Sequence, residues 1–119
     1  MKYLLILLFV IYFLWSCDNR RIYKVDISNI SNYNIDSLSI GPNARNLKKF
    51  ISIKLKDKAE YSIDMNNIRI ADGCYILTYK INGKWKHQPF GYYTNGAQLE
   101  SGASIVINNK DIRIENNKY

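Results

Sequence analysis

Apolar and polar positions follow two different rhythms along this chain. Residues 4–15 form one unbroken apolar run, Leu4-Leu5-Ile6-Leu7-Leu8-Phe9-Val10-Ile11-Tyr12-Phe13-Leu14-Trp15. From Ile22 onward the period is two, the mark of strands with one face buried. Tyr23, Val25 and Ile27 alternate with Lys24, Asp26 and Ser28, and Ser31-Asn32-Tyr33-Asn34 reads as a turn. Leu38 and Ile40 then share a face, and Gly41-Pro42-Asn43 stops that strand. Ile51, Ile53 and Leu55 alternate with Ser52, Lys54 and Lys56; Tyr61, Ile63 and Met65 alternate with Glu60, Ser62 and Asp64. Ala44 to Lys48 offers one helical turn at most.

Tyr75, Leu77, Tyr79 and Ile81 give the clearest strand, and Asn82-Gly83 after it is a two-residue hairpin signal, because both residue types tolerate positive φ. The return strand runs from Lys84-Trp85-Lys86 past Pro89 to Tyr92-Tyr93. Pro89 has no N–H to donate, which predicts an edge strand or a bulge there. Ala97 to Glu100 returns once more, and Ile105-Val106-Ile107 and Ile112-Arg113-Ile114 flank a last turn at 108–111. About eight short strands with regular turn signals predict an all-β fold: a single small antiparallel β-sandwich, immunoglobulin-like or transthyretin-like, with a small closed barrel as the alternative. Asp72-Gly73-Cys74-Tyr75 resembles the Gly-x-Tyr strand entry of such sandwiches, which implies a Tyr75 hydroxyl tied back to a neighbouring loop.

The N-terminus carries a separate message. A positive start at Lys2, an apolar run and a small residue at Ser16 have the form of a secretory signal. With Tyr3 the run counts about 13 apolar residues, shorter than the roughly 20 a spanning helix needs. Leu14-Trp15-Ser16-Cys17 resembles a bacterial lipobox. That resemblance implies cleavage between Ser16 and Cys17, lipid on the Cys17 thiol, and a chain held to a membrane through that lipid. The expected layout is a lipoprotein signal peptide at 1–16, the lipidated Cys and a short tether at 17–21, the sandwich at 22–115 and a polar tail at 116–119. Arg20 and Arg21 in the tether would lie against anionic headgroups.

Charge and cysteines narrow the setting. The whole chain carries a formal +7, and loss of Lys2 with the signal leaves +6. Such a balance favours anionic surroundings: headgroups, acidic glycans or an acidic protein. An exported protein does not meet nucleic acid, so no nucleic-acid partner is expected. With Cys17 lipidated, Cys74 has no partner within the chain, so the fold must be held by packing without a disulfide. Abundant Asn, Ile, Lys and Tyr fit a low-GC bacterial host. Taken with the signal, the chain resembles the small lipoproteins of Bacteroidetes-type bacteria. This resemblance implies a bacterial cell-envelope location, lipid-anchored at the outer membrane and facing the periplasm or the surface.

No catalytic constellation can be assembled. His87 is the one histidine, no zinc ligand set is present, and no phosphate loop or nucleophile elbow occurs. No cofactor and no enzymatic activity are expected. The aromatic stretch is the candidate partner-binding segment: Trp85, Lys86, His87, Tyr92 and Tyr93. Alternation sends Trp85, His87 and Tyr93 to one face and Phe90 and Tyr92 to the other, unless Pro89 shifts the register. The exposed rings, with Lys84 and Lys86, would suit a protein or glycan partner in the envelope. Asn29-Ile30-Ser31 fits the N-glycan acceptor pattern. Asp36-Ser37-Leu38 resembles the O-glycosylation acceptor of Bacteroidetes, which implies a glycan on Ser37.

These readings converge on a non-enzymatic, lipid-anchored envelope protein that presents a β-sandwich binding surface. Two alternatives share the sequence features. One is a periplasmic immunity or enzyme-inhibitor lipoprotein, and the other a structural accessory of an envelope assembly joined through an open sheet edge.

Overall fold

The computed structural model describes residues 1–15, 22–42, 49–68 and 71–118. The cleavage and lipidation pair Ser16 and Cys17, the tether at 17–21 and the turn considered at 44–48 lie outside the described residues. A helix, α1 (Lys2–Trp15), precedes nine strands among the described residues: β1 (Ile22–Asn29), β2 (Ile35–Gly41), β3 (Ile51–Ile53), β4 (Lys58–Asp64), β5 (Gly73–Ile81), β6 (Lys84–Thr94), β7 (Ala97–Gln98), β8 (Gly102–Ile107) and β9 (Ile112–Asn117). A 3-10 turn at Met65–Asn67 follows β4, with the Asp64 carboxylate accepting from the Asn66 N–H at 3.0 Å.

The strands form two sheets, ordered β4-β1-β8-β9 and β3-β2-β5-β6-β7. This is a β-sandwich, and its two separate sheets rule out the closed barrel. One pairing departs from the antiparallel expectation: β1 runs parallel to β8, with Val25 beside Ala103 and Ile27 beside Ile105. β1 and β2 lie in different sheets, whereas constant-type immunoglobulin domains pair their first two strands in one sheet.

Tyr23, Val25 and Ile27 of the first sheet meet Tyr75, Leu77 and Tyr79 of the second, all within the buried core. At one end the core is aromatic. Tyr23 stacks on Tyr75 with ring centroids 4.1 Å apart, and Phe90 and Tyr93 pack on Tyr75 at 5.7 and 5.5 Å. Ring pairs of this kind add about 0.5–1.5 kcal/mol each beyond area burial. The Tyr75 hydroxyl reaches back to the Met65 sulfur at 3.7 Å, so the residue ties its strand to the preceding turn.

Two strand limits differ from the alternation. β3 stops at Ile53 because 54–57 turns, with the Asp57 N–H bonded to the Lys54 carbonyl and Lys56 at φ +62°; Leu55 is therefore exposed. β9 continues to Asn117, paired with Gly102, so the expected tail from 116 is largely strand.

Candidate functional site

The hairpin from β5 to β6 sets the site. Asn82 and Gly83 both take positive φ, and the register places Lys84 opposite Ile81, Lys86 opposite Tyr79 and Gln88 opposite Leu77. Residues directly opposite share a face of the sheet. Lys84, Lys86 and Gln88 therefore stand on the inner face, and Trp85 and His87 on the outer one. Lys86 and Lys84 do not join Trp85 in one patch, as the sequence reading had them.

On the outer face two rows cross three strands. Ser37 of β2, Lys80 of β5 and Trp85 of β6 form one; Ser39, Thr78 and His87 form the next. The Lys80 ammonium lies 5.8 Å from the Trp85 ring centroid, within cation–π range. Phe50, just before β3, meets Trp85 edge-on at 6.3 Å. Trp85 and Phe50 remain 51% and 50% exposed, so the pair presents an aromatic surface beside a cation. The second row is closed: Ser39 and Thr78 are buried, and Thr78 Oγ1 bonds His87 Nδ1 at 3.0 Å. Ser37, the candidate glycan acceptor, is half-buried at the end of the first row.

The far end of β6 corrects the face assignment of two tyrosines. Between Phe90 and Tyr93 the strand gains one residue relative to β5, so Tyr75 opposes Phe90 while Gly73 opposes Tyr93. Gly91 sits in this bulge at φ +62°, a value that L side chains rarely adopt. The extra residue turns Tyr93 into the core, 5% exposed, and leaves Tyr92 outside. Burial, with the Cys74 thiol nearby, raises the Tyr93 hydroxyl above its ordinary pKa. Its hydroxyl bonds the Pro42 carbonyl at 3.3 Å. Tyr92 is exposed, but seven residues of strand, roughly 20 Å, separate it from Trp85. Pro89 lies on a stretch of β6 with no outer neighbour, since β7 pairs only with Tyr93 and Thr94.

Asn29 is not an accessible glycan acceptor in the folded chain. It is wholly buried, and its Nδ2 donates to the Tyr33 carbonyl at 2.8 Å and the Lys54 carbonyl at 3.2 Å.

Two features had no signal in the sequence. Phe50 and Lys80 join Trp85 only through the sheet order. A cleft also opens where β6 overhangs the turn between β8 and β9. It holds about 420 Å³ against Tyr79, Lys86, Gln88, Asp111 and Ile112, and a recess of about 190 Å³ adjoins it toward Lys84, Asn108 and Asn109. Among the described residues no three His, Cys, Asp or Glu side chains cluster as a metal site.

No family model and no curated protein matches this chain. In fold it is similar to an NMR structure of a protein from Eubacterium rectale, with a TM-score of 0.52 and 11% identity, covering 87% of this chain and 96% of that one. The likeness concerns the sandwich alone.

Proposed function

We propose that this protein is a non-enzymatic binding domain held at a bacterial envelope by lipid on Cys17, with the Trp85 face as its partner surface. The observation that carries the reading is the Leu14-Trp15-Ser16-Cys17 motif at the end of an apolar helix. α1 is 14 residues long, about 21 Å at the usual helical rise, against roughly 30 Å of hydrocarbon in a bilayer. No helix among the described residues is long and apolar enough to cross a membrane. Side chains from Tyr3 to Ile11 are exposed, which suits a segment that a membrane or a signal peptidase receives.

The partner surface is the exposed Trp85–Phe50 pair with Lys80 beside it. Large rings next to a cation favour an acidic protein partner, since Trp is a frequent interface anchor and the charge steers approach. This same cluster supports the immunity or inhibitor reading, in which it would cover an acidic site on a toxin or hydrolase. The edge-joined accessory is less well supported: β6 carries Pro89 and inward lysines, both devices that blunt a free edge.

The test pairs labelling with capture. Cells fed radioactive palmitate should label the wild-type chain, and Cys17→Ser should leave an unlabelled precursor. Detergent extraction through a C-terminal tag should then recover a stoichiometric acidic partner that Trp85→Ala loses. Lipid uptake by the Cys17→Ser chain overturns the anchor. Capture unchanged by Trp85→Ala overturns the surface.

A further inference from the structure

We propose that the cleft under the β6 overhang binds a short anionic saccharide, two or three sugar units bearing carboxylate groups. This site lies on the opposite face of β6 from Trp85 and does not depend on that surface or on the anchor.

Its floor is Tyr79, which lines both the cleft and the recess. The residue is only 3% exposed, yet its hydroxyl has no hydrogen-bond partner among the described residues. The hydroxyl is not among the unpartnered polar atoms shut away from solvent, and at the floor of an open cleft it is placed to meet water or a ligand. Burial also raises the Tyr79 hydroxyl above its ordinary pKa, so it stays protonated and able to donate.

Lys84 and Lys86 set the sign of the ligand. They stand two residues apart on one face of β6, roughly 7 Å along the strand. Neither makes an ion pair among the described residues. Their inward direction alone has a simpler account, because inward lysines also discourage edge pairing. That account gives no role to an unpartnered tyrosine hydroxyl beneath them, or to the amide-rich wall opposite.

That wall is the turn from β8 to β9, and its side chains are already fixed. Asn108 Nδ2 donates to Asp111, and Asn109 Oδ1 accepts the Asn32 N–H at 2.7 Å. The Asn109 amide still has hydrogens to give, and the Asp111 carboxylate has lone pairs to receive. A ligand meeting this wall needs both donors and acceptors, and the hydroxyls of a sugar supply both. At the rim of the recess Tyr33 is part-exposed, a ring face for the apolar side of a sugar. The cleft is within the size range of small-ligand sites.

Calorimetric titration of the full 119-residue chain in amine-oxide micelles tests the site with three probes: trigalacturonate, neutral maltotriose and inorganic phosphate. Saturable 1:1 binding of trigalacturonate is expected, well above either other probe. Lys86→Glu should weaken it by about tenfold, the effect of losing one charge-assisted hydrogen bond. Tyr79→Phe, which keeps the ring, should weaken it several-fold. Lys24→Glu makes the same charge change at an exposed position of β1 and should leave binding unaltered. The proposal fails if trigalacturonate does not saturate, if maltotriose or phosphate binds as tightly, or if Lys24→Glu and Lys86→Glu lose equally. Circular dichroism of each variant establishes that it is folded, and Lys86→Glu, at an exposed position, decides the matter if Tyr79→Phe is not.

Discussion

The Ser31 hydroxyl donates to Asn29 Oδ1 at 2.6 Å, and both residues are fully buried. This pair holds two connections at once. Asn29 Oδ1 also accepts the Ser31 N–H, while its Nδ2 bonds carbonyls of the β1–β2 and β3–β4 turns. Replacing Asn29 by Ala strands buried acceptors from two loops and removes the partner of a buried hydroxyl. Each such group costs about 1–3 kcal/mol, so Asn29→Ala should lose roughly 2–4 kcal/mol. Urea unfolding followed by circular dichroism measures it, and a loss under about 0.5 kcal/mol, the scale of an ordinary surface change, would show that water replaces the amide.

Gly91 should resist substitution for two independent reasons. Its φ is +62°, and a Cβ there would stand 2.8 Å from the Tyr75 ring. Gly91→Ala should cost about 2–4 kcal/mol from backbone strain and overpacking together. A thermal melt checks this. A melting temperature equal to that of the wild type would mean that the bulge is not needed to seat Phe90 and Tyr93 together.

Trp85 and Tyr93 should separate cleanly, although both fall in the aromatic stretch singled out from sequence. Trp85→Ala removes an exposed ring and should leave stability within about 1 kcal/mol of wild type. Tyr93→Ala empties a core position and should cost about 3–5 kcal/mol. Parallel urea titrations compare them. Equal losses would place Trp85 in the packing rather than on a working surface.

The outcome for these two residues shows where sequence was legible. Tyr23, Val25, Ile27, Tyr75, Leu77, Tyr79 and Ile81 point inward as their alternation predicts, because each lies on a regular strand covered by the opposite sheet. Counting by twos fails after Phe90, where the bulge at Gly91 adds a residue; Pro89 signals an edge or a bulge in this stretch but not which residue is the extra one. It fails differently for Lys84 and Lys86. They have the inward parity, but β6 overhangs the first sheet there, so an inner position is open to water. The β1–β8 pairing was illegible for a third reason: it joins segments more than seventy residues apart, and nothing local records it. The cleft inherits that problem, since Asp111 meets Lys86 only once both sheets are assembled.

Alkaline pH should unfold the protein through its buried phenols. Burial, and secondarily the nearby Glu100 carboxylate, raises the Tyr23 hydroxyl far above its ordinary value of 10.0; burial raises Tyr79 and Tyr93 as well. The folded state therefore holds protons that the unfolded chain releases above about pH 10, and stability falls as pH rises beyond that point. Below pH 10 the effect vanishes. Tyr23→Phe, which leaves nothing to ionise, should move the alkaline unfolding midpoint upward, read by absorbance at 295 nm together with circular dichroism. An unchanged midpoint would assign the transition to other groups.

The parallel pairing of β1 with β8 also orders events during synthesis. A chain leaves the ribosome N-terminus first, so β1 is available well before β8. Until residues 102–107 have emerged, β1 can pair only with β4, and its other edge stays open with Val25 and Ile27 alongside. Pairings between distant segments form slowly, and unpaired edges invite the wrong neighbour. One edge of β1 therefore stays open until β8 has been made, and the first sheet of the sandwich cannot close before then.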